Sequence, residues 1–370
     1  MWTAYALVVL IAAASCAVAL WRLGRVAPAL GLVDHPRGRK RHGRATPLVG
    51  GLAVVLAVFA ALALAAAADS RTAAALSAIA DRSGLLLGVA VLALVGALDD
   101  RRPIKARYKL GFQLACSMCA VGLDQVVVTE AAGVGLGAFA RPFTIMVMLT
   151  VVNGLNMLDG VDGLAGGLSL VGLLFMALAA AAGGLAGESA LLFAFVGALA
   201  AFLAVNFPVR SSSQASAFLG DAGSLVLGFV LAYFAVGLSG SPDRMFSPSV
   251  ALWFFFVPVA DTVLLYLRRN ARDGAPFSPG RDHVHHILMR RWSARTVCWL
   301  LIVAGAGMAG LSLLAERAGL PPAGQAATWG LAFLLYARAT RRPWTAAWLR
   351  SRRAERRAAA QPQAVRARAA

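Results

Sequence analysis

The chain has 370 residues, of which 59% are hydrophobic and only 14% are charged, and its mean hydropathy is +0.72. A soluble domain carries about 25% charged residues, so this composition excludes an ordinary soluble protein. Apolar runs near the roughly 20 residues that cross a bilayer as a helix recur along the sequence. We therefore predict an all-α, polytopic membrane protein, because a helix satisfies its own backbone hydrogen bonds in lipid.

Eleven apolar runs are predicted to be transmembrane helices. In chain order they cover residues 3–21, 48–68, 84–98, 108–128, 142–158, 164–185, 190–207, 220–239, 249–267, 297–315 and 324–337. The first run is followed by Arg22 and Arg25 and has no basic residues before it, so we interpret it as a retained span and not as a signal peptide. Residues 1–337 are predicted to form one multi-span domain, and the basic residues 338–370 a disordered or amphipathic cytoplasmic tail.

The basic residues divide unequally between the two membrane faces. Thirty of the 35 Lys and Arg residues fall in alternate loops (22–47, 99–109, 208–219, 268–295) and in the tail, and five fall in the opposite loops. Because basic loops stay in the cytoplasm, the N-terminus is predicted to face outward. This topology and attraction to anionic lipid explain the net charge of +18 better than nucleic-acid binding does.

Five polar segments fall at the cytoplasmic ends of the predicted spans. They are DHPRGRKRHGRATP (34–47), DDRRPIKARYK (99–109), NGLNMLDGVDGL (153–164), FLGDAGS (218–224) and PFSPGRDHVHH (276–286). Since all five reach the same membrane face, we predict that they form one site there. The four cysteines lie inside apolar runs and indicate neither a disulfide framework nor a zinc site.

The aspartates Asp99 and Asp100 end an apolar run and are followed by basic residues, among them Lys105, Arg107 and Lys109. Adjacent side chains on a helix point about 100° apart, so the pair is not expected to clamp one ion. One carboxylate is expected to face the site while the other meets a cation or the substrate. A solvated helix end that is neutralised by the basic residues is an equal alternative for this segment alone.

The segment 153–164 contains two asparagines and two aspartates, and each pair is spaced three residues apart: Asn153 and Asn156, Asp159 and Asp162. This spacing puts each pair on one helix face if the segment stays helical, while the three glycines of the segment favour a broken helix or a tight turn. Amide and carboxylate oxygens suit magnesium, which binds one or two protein oxygens together with phosphates and water. Helix capping is the simpler alternative, but four such groups exceed what a cap requires.

Two further aspartates lie in or beside apolar runs. Asp221 opens the run at 220–239, where it is either a helix cap or a ligand. Asp261 lies deeper in a predicted span, where an ionisable residue is a functional candidate, and its neighbours indicate a supporting role.

The last polar segment carries His283, His285 and His286 near several arginines. A zinc site is disfavoured because Cys or acid ligands at a suitable spacing are missing. Histidine and arginine donors beside hard-oxygen metal ligands favour a phosphate-bearing substrate. Together the segments predict phosphoryl transfer at a cytoplasmic membrane surface, which depends on charge neutralisation and alignment.

With these segments in this order, the chain resembles the bacterial polyprenyl-phosphate N-acetylhexosamine-1-phosphate transferases, of the undecaprenyl-phosphate GlcNAc-1-phosphate transferase type. They belong to glycosyltransferase family 4, in the same superfamily as phospho-N-acetylmuramoyl-pentapeptide transferase. The resemblance covers about residues 30–295 and rests on all five segments.

The resemblance implies a multi-span enzyme of the bacterial inner (plasma) membrane with a cytoplasmic active site. Such enzymes move a sugar 1-phosphate from a UDP-sugar to undecaprenyl phosphate and release UMP, which initiates a cell-surface glycan. The implied cofactor is Mg²⁺, with Mn²⁺ as an alternative. The implied partners are UDP-N-acetylhexosamine, undecaprenyl phosphate and membrane lipid, with no nucleic acid, and a homodimer is left open.

The resemblance also gives roles to ten residues. Asp99 and Asp100 match the aspartate pair that handles the lipid phosphate and catalysis, and Asn156 and Asp221 match the magnesium ligands. The implied substrate-binding residues are Asp159, Asp162, Arg107, His283, His285 and His286. Two positions depart from the family pattern, because Gly280 stands where an aspartate is usual and Arg107 where a lysine is usual.

Several functions remain open at this stage. The HxHH pattern looks like the GlcNAc branch, whereas three consecutive histidines are typical of the muramoyl-pentapeptide branch, so a UDP-N-acetylhexosamine donor is favoured. A secondary transporter also has acids within spans and glycine-broken helices, but here the polar groups lie at one face and no inverted repeat is visible. A catalytically inactive scaffold is the third alternative.

Overall fold

A computed structural model describes residues 2–36, 44–68, 70–207, 215–240, 244–273, 282–341 and 345. Within these ranges most of the chain is helical, as predicted. The helices are α1 (Trp2–Leu30), α2 (Gly50–Ala68), α3 (Ser70–Ala80), α4 (Ser83–Arg101), α5 (Ala106–Leu123), α6 (Ala140–Leu158), α7 (Leu164–Ala182), α8 (Ala186–Asn206), α9 (Gly220–Gly240), α10 (Pro248–Phe254), α11 (Phe256–Asp273), α12 (Val284–Leu288), α13 (Ala294–Arg317) and α14 (322–341).

Two short hairpins connect helices at the two ends of the bundle. Between α1 and α2, β1 (Val33–Asp34) pairs antiparallel with β2 (Thr46–Pro47). Between α5 and α6, β3 (Glu130–Ala131) pairs antiparallel with β4 (Val134–Gly135), and a 3-10 turn follows at Gly137–Phe139.

A helix lies at each of the eleven predicted positions, but not every helix has the character of a span. Among the described residues, eight helices are long and apolar enough to cross a membrane, and nine if α10 and α11 form one broken span. Neither α5 nor α14 is among them. The first turns of α5 carry Arg107, Lys109 and Gln113, which make that helix less apolar. The prediction of about eleven spans is therefore supported for eight or nine.

Polar contacts join helix ends at one end of the bundle. Lys109 at the start of α5 contacts Asp99 at the end of α4, and Asn156 at the end of α6 contacts Asp221 at the start of α9. The amide of Gly163, just before α7, donates to Asn206 at the end of α8. We call this the polar end, and the other end the opposite end.

Helix α9 forms the centre of the bundle. In the apolar stretch that makes α9 a candidate span, 94% of the residues are buried inside the protein, more than in any other candidate span. The side chains of Phe229, Tyr233 and Phe234 are fully buried. Glycines let neighbouring backbones approach its first turn closely. A Cβ at Gly51 of α2 would lie 2.1 Å from the Gly223 nitrogen, and one at Gly96 of α4 would lie 2.3 Å from the Ala222 Cα. The start of α9 is thereby fixed between α2 and α4.

The chain bends by 87° between α10 and α11. Helix α14 packs beside this break, where the Trp329 ring lies edge-on to Phe256 with centroids 5.4 Å apart. Further along, Arg268 of α11 donates to the Ala337 carbonyl and to the Thr340 hydroxyl of α14. The last described helix therefore supports α11 along its length, across the predicted domain boundary at residue 337.

Candidate active site

Two carboxylates from different helices share one lysine at the polar end. The Lys109 Nζ lies 2.7 Å from Asp99 Oδ2 and 2.8 Å from Asp221 Oδ2. The other oxygen of Asp99 accepts from the backbone amide of Ile104, so the turn between α4 and α5 brings Lys109 beside the acid. This arrangement places one cation between two acids at a partly exposed helix end.

In the part of the chain that the structure describes, Asp100 contacts the start of a helix and no cation. Its Oδ1 accepts from the backbone amide of Asp221 at 2.9 Å, and its Oδ2 from that of Ala222 at 3.2 Å. Gly220 has φ +74°, and a Cβ there would lie 2.5 Å from Asp100 Oδ2, so the close approach depends on glycine. The adjacent acids thus have different partners, as the 100° rotation predicts, and Asp100 binds the first backbone amides of α9. Its role in catalysis stays a prediction.

No backbone amide of the described residues donates to the Asp221 side chain, so this carboxylate is not the helix cap that the sequence left open. Its Oδ1 accepts from Asn156 Nδ2 at 3.0 Å, and the same nitrogen donates to Ser224 Oγ at 2.9 Å. The amide and carboxylate that were predicted to bind magnesium therefore touch each other. They lie on α6 and α9, two long helices that pack together.

The side chains of these two residues carry oxygen atoms of the kind that magnesium binds. Turning the Asn156 amide over exchanges its nitrogen and oxygen, which would present two hard oxygens side by side. The described ranges contain no group of three or more His, Cys, Asp or Glu residues that would hold a metal ion. Magnesium commonly uses one or two protein oxygens, with phosphates and water as the remaining ligands.

The predicted break in 153–164 is confirmed, because α6 ends at Leu158 and α7 begins at Leu164. Two contacts hold the turn: the Gly163 amide donates to Asn206 Oδ1 at 2.7 Å, and Cys298 Sγ donates to the Asp162 carbonyl at 3.0 Å. Burial raises the pKa of Asp159 well above its usual range, and three neighbouring carboxylates raise it further: Asp221, Asp100 and Asp162. Asp159 therefore lies close enough to three other carboxylates for their charges to affect its affinity for a proton.

The three histidines gather around the start of α12. The ring centroids of His285 and His286 lie 4.2 Å apart, and those of His283 and His285 lie 5.6 Å apart. A Cβ on Gly160 would lie 3.5 Å from His285 Nε2. The histidine segment and the Asn–Asp segment, predicted to share a site, are thus neighbours in the fold.

His285 is buried with both ring nitrogens unpartnered among the described residues. Burial, followed by the neighbouring His286 and His283, lowers the pKa of His285 to about 3. It is therefore a neutral ring at physiological pH, with one nitrogen that can donate and one that can accept.

Two acids hold the histidine segment against α11. Asp261 of α11 accepts from His283 Nδ1 at 2.8 Å, which agrees with the supporting role expected for it. Asp282 forms a buried ion pair with Arg269 of the same helix. Burial alone would raise the pKa of Asp282, but the hydrogen bond and the charge of Arg269 outweigh it and hold that pKa below its usual range. Gly280, the departure from the family pattern, lies outside the described residues.

Among the described residues, the cation that contacts Asp99 and Asp221 is Lys109, one of the basic residues expected to neutralise this helix end. Arg107 was predicted to bind substrate. Arg107 is exposed, donates to the Tyr108 hydroxyl, and its guanidinium lies 4.8 Å from the centre of that ring. Contact of Arg107 with substrate stays a prediction. Tyr336 of α14 was missed, although it donates to Asp261 at 2.6 Å; a tyrosine in an apolar run gave no signal of this contact.

Comparisons with known proteins give a consistent family. The model of glycosyl transferase family 4 matches residues 83–239. The undecaprenyl-phosphate alpha-N-acetylglucosaminyl 1-phosphate transferase of Escherichia coli O157:H7 is 30% identical over 332 residues, which cover 87% of each chain. The protein of the same name from Yersinia pestis is 32% identical over 331 residues, covering 87% of this chain and 88% of the relative. A probable undecaprenyl-phosphate N-acetylglucosaminyl 1-phosphate transferase of Bacillus subtilis is 31% identical over 273 residues, covering 72% of each.

Proposed function

Since the chain belongs to glycosyl transferase family 4, we propose that it transfers N-acetylglucosamine 1-phosphate from UDP-N-acetylglucosamine to undecaprenyl phosphate and releases UMP. The names of the relatives support the acceptor and the transferred group. One observation in the fold carries the proposal: acids from α4 and α9 share a lysine from α5 beside the asparagine of α6. Such a set of charges suits phosphate groups at a membrane surface.

The reaction exchanges one phosphoanhydride for another. A phosphate oxygen of undecaprenyl phosphate attacks the sugar-linked phosphorus of the donor, and the bond from that phosphorus to the bridging oxygen of UMP breaks. The electron pair of the broken bond leaves with UMP. The protein has to bring two anionic substrates together and hold them in line, which is chiefly positioning and charge stabilisation.

Each residue of the cluster has a part in this scheme. Asn156 and Asp221 would hold Mg²⁺ or Mn²⁺, which when bound neutralises phosphate charge. Lys109 supplies a fixed positive charge between Asp99 and Asp221, and Asp100 keeps the start of α9 in place. The histidines lie beside the turn at Gly160, where they would contact the phosphates or sugar of the donor.

The polar end is proposed to face the cytoplasm of the plasma membrane, where the nucleotide-sugar is available. The excess of basic residues in the loops on this side supports that orientation. Single cysteines test it in intact cells with a membrane-impermeant thiol reagent. Arg102→Cys at the polar end should react only after the cells are opened, whereas Val134→Cys at the opposite end should react in whole cells. The reverse pattern would contradict the orientation.

The activity is tested with purified protein in lipid nanodiscs, UDP-GlcNAc labelled in the sugar, and undecaprenyl phosphate. We expect label in the lipid fraction and exchange of labelled UMP into UDP-GlcNAc. A transporter would instead accumulate UDP-GlcNAc in sealed vesicles without forming a lipid product, and an inactive scaffold would do neither. UDP-MurNAc-pentapeptide in the same assay separates the muramoyl branch from the GlcNAc branch.

A further inference from the structure

In the histidine cluster, the side chain of His283 is hydrogen-bonded to the buried carboxylate of Asp261. Asp261 is 3% exposed, and its Oδ2 lies 2.8 Å from Nδ1 of His283. Its Oδ1 accepts from the backbone amide of Val284 at 3.0 Å. One acid therefore binds both the side chain of His283 and the backbone of the residue after it.

A third donor to this acid comes from the last described helix. The Tyr336 hydroxyl of α14 donates to Asp261 Oδ1 at 2.6 Å. Helix α14 lies outside the family match at 83–239 and outside the segments that carry the resemblance. Tyr336 thus links a peripheral helix to the histidine cluster through a single buried acid.

The hydrogen bonds determine which nitrogen of His283 is available. An ionised carboxylate only accepts hydrogen bonds, so Nδ1 of His283 carries a hydrogen toward Asp261. This fixes both the tautomer and the orientation of the ring. Nε2, on the far edge of the ring, is then the atom left to bind a ligand.

We propose that Asp261 and Tyr336 are positioning residues that hold His283 so that its Nε2 binds a phosphate of the nucleotide-sugar. Helix α14 is thereby part of the transferase site. This inference rests on the proposed function, since it concerns how that site binds its donor. A ring that is already oriented loses little rotamer freedom when the donor binds.

The test compares three single variants in the nanodisc transfer assay. Tyr336→Phe removes one hydroxyl, and Asp261→Asn removes the charge while keeping the shape of the side chain. Thr328→Val is the matched control, because Thr328 is on the same helix and its hydroxyl donates only to the Gln325 carbonyl one turn away. Removing a carboxylate that orients a metal-binding histidine typically costs about 10–100-fold, and we expect a loss in the same range for a histidine that binds phosphate.

We expect kcat/KM for UDP-GlcNAc to fall about tenfold in Tyr336→Phe and further in Asp261→Asn, mainly through a higher KM for the donor. The KM for undecaprenyl phosphate should be unchanged in both variants. Thr328→Val should behave as wild type. A general loosening of the structure would not raise one KM and leave the other alone.

A double-mutant cycle then asks whether Tyr336 acts through His283. In a His283→Gln background, Tyr336→Phe should cause no further loss, because the ring that it positions is absent. The inference is overturned if Tyr336→Phe lies within twofold of wild type, or if it lowers activity equally in both backgrounds. Absence of product with the wild-type protein would instead refute the proposed function, so the two failures are distinguishable.

Discussion

The substitution Asp221→Asn tests whether the charge of Asp221 serves metal binding or the stability of the start of α9. The substitution keeps the size of the side chain and the oxygen that accepts from Asn156, but it removes the negative charge. The amides at the start of α9 are bound by Asp100 and not by the side chain of Asp221. Loss of the charge should therefore leave the helix start intact while it weakens the proposed metal site.

The expected loss of transfer rate is larger than the expected loss of stability. Removing one group that stabilises charge in a transition state costs about 10²–10³ in rate, or about 3–4 kcal/mol. The contact between Asp221 and Lys109 is partly open to solvent, with side chains 26% and 19% exposed, and Lys109 keeps Asp99 as a partner. The cost to the free energy of unfolding should then be about 1 kcal/mol or less.

The assay measures transfer rate against magnesium concentration, together with the thermal midpoint in detergent. Asp124→Asn at the opposite end is the matched control, because this acid does bind a helix start. It accepts from the backbone amides of Gly84 and Leu85 and from the Tyr233 hydroxyl, each at 2.8 Å. We expect Asp124→Asn to lower the thermal midpoint and keep the transfer rate. Asp221→Asn should lower the transfer rate and nearly keep the thermal midpoint.

Near-normal transfer by Asp221→Asn at low magnesium would refute the reasoning. A large fall in its thermal midpoint, matching that of Asp124→Asn, would show that Asp221 contributes mainly to the fold. Rescue of Asp221→Asn by raised magnesium would agree with a weakened but surviving site.

Three other changes have defined outcomes. Asp100→Asn should lower both transfer rate and thermal midpoint, by about 1–3 kcal/mol in unfolding free energy, because a buried amide of α9 loses its acceptor. Gly96→Ala should lower the folded yield on size-exclusion chromatography, since its Cβ would lie 2.3 Å from the Ala222 backbone; normal yield and stability would show that α4 can move away. In the folded protein the pKa of His285 is lowered from 6.5 to about 3. As the pH drops from 6.5 toward 3, the unfolded chain therefore binds a proton that the folded protein does not, and stability should fall by up to about 1.4 kcal/mol per pH unit. The drop in midpoint from pH 7 to pH 5 should be smaller in His285→Phe, and an equal drop would contradict the assignment.

The grouping of the polar segments was predictable from the sequence. The distribution of basic loops predicts which membrane face each helix end reaches. All five polar segments then fall at the same face. Contacts such as Asn156 to Asp221 and Gly160 to His285 follow once the helices pack, although the sequence does not state their distances. The number of spans was less predictable, because α5 combines an apolar half with a charged first turn.

The directions in which individual side chains point could not be predicted from the sequence. Arg107 and Lys109 are two residues apart on α5 and point to nearly opposite sides of the helix. Which of them meets the acids depends on the rotation of α5, and that is set by where the turn after α4 ends. The 87° bend between α10 and α11 was hidden for a similar reason, since the apolar run continues across it.

The central place of α9 has a consequence for how the protein is made. The helices that enclose it on several sides, α2, α4, α6 and α7, all leave the ribosome earlier. Until Gly220 emerges, Asp100 has no α9 amides to bind and Lys109 lacks one of its two acids. These contacts can therefore form only after Gly220 and Asp221 have been synthesised, so α2, α4, α6 and α7 are made before the helix that they enclose.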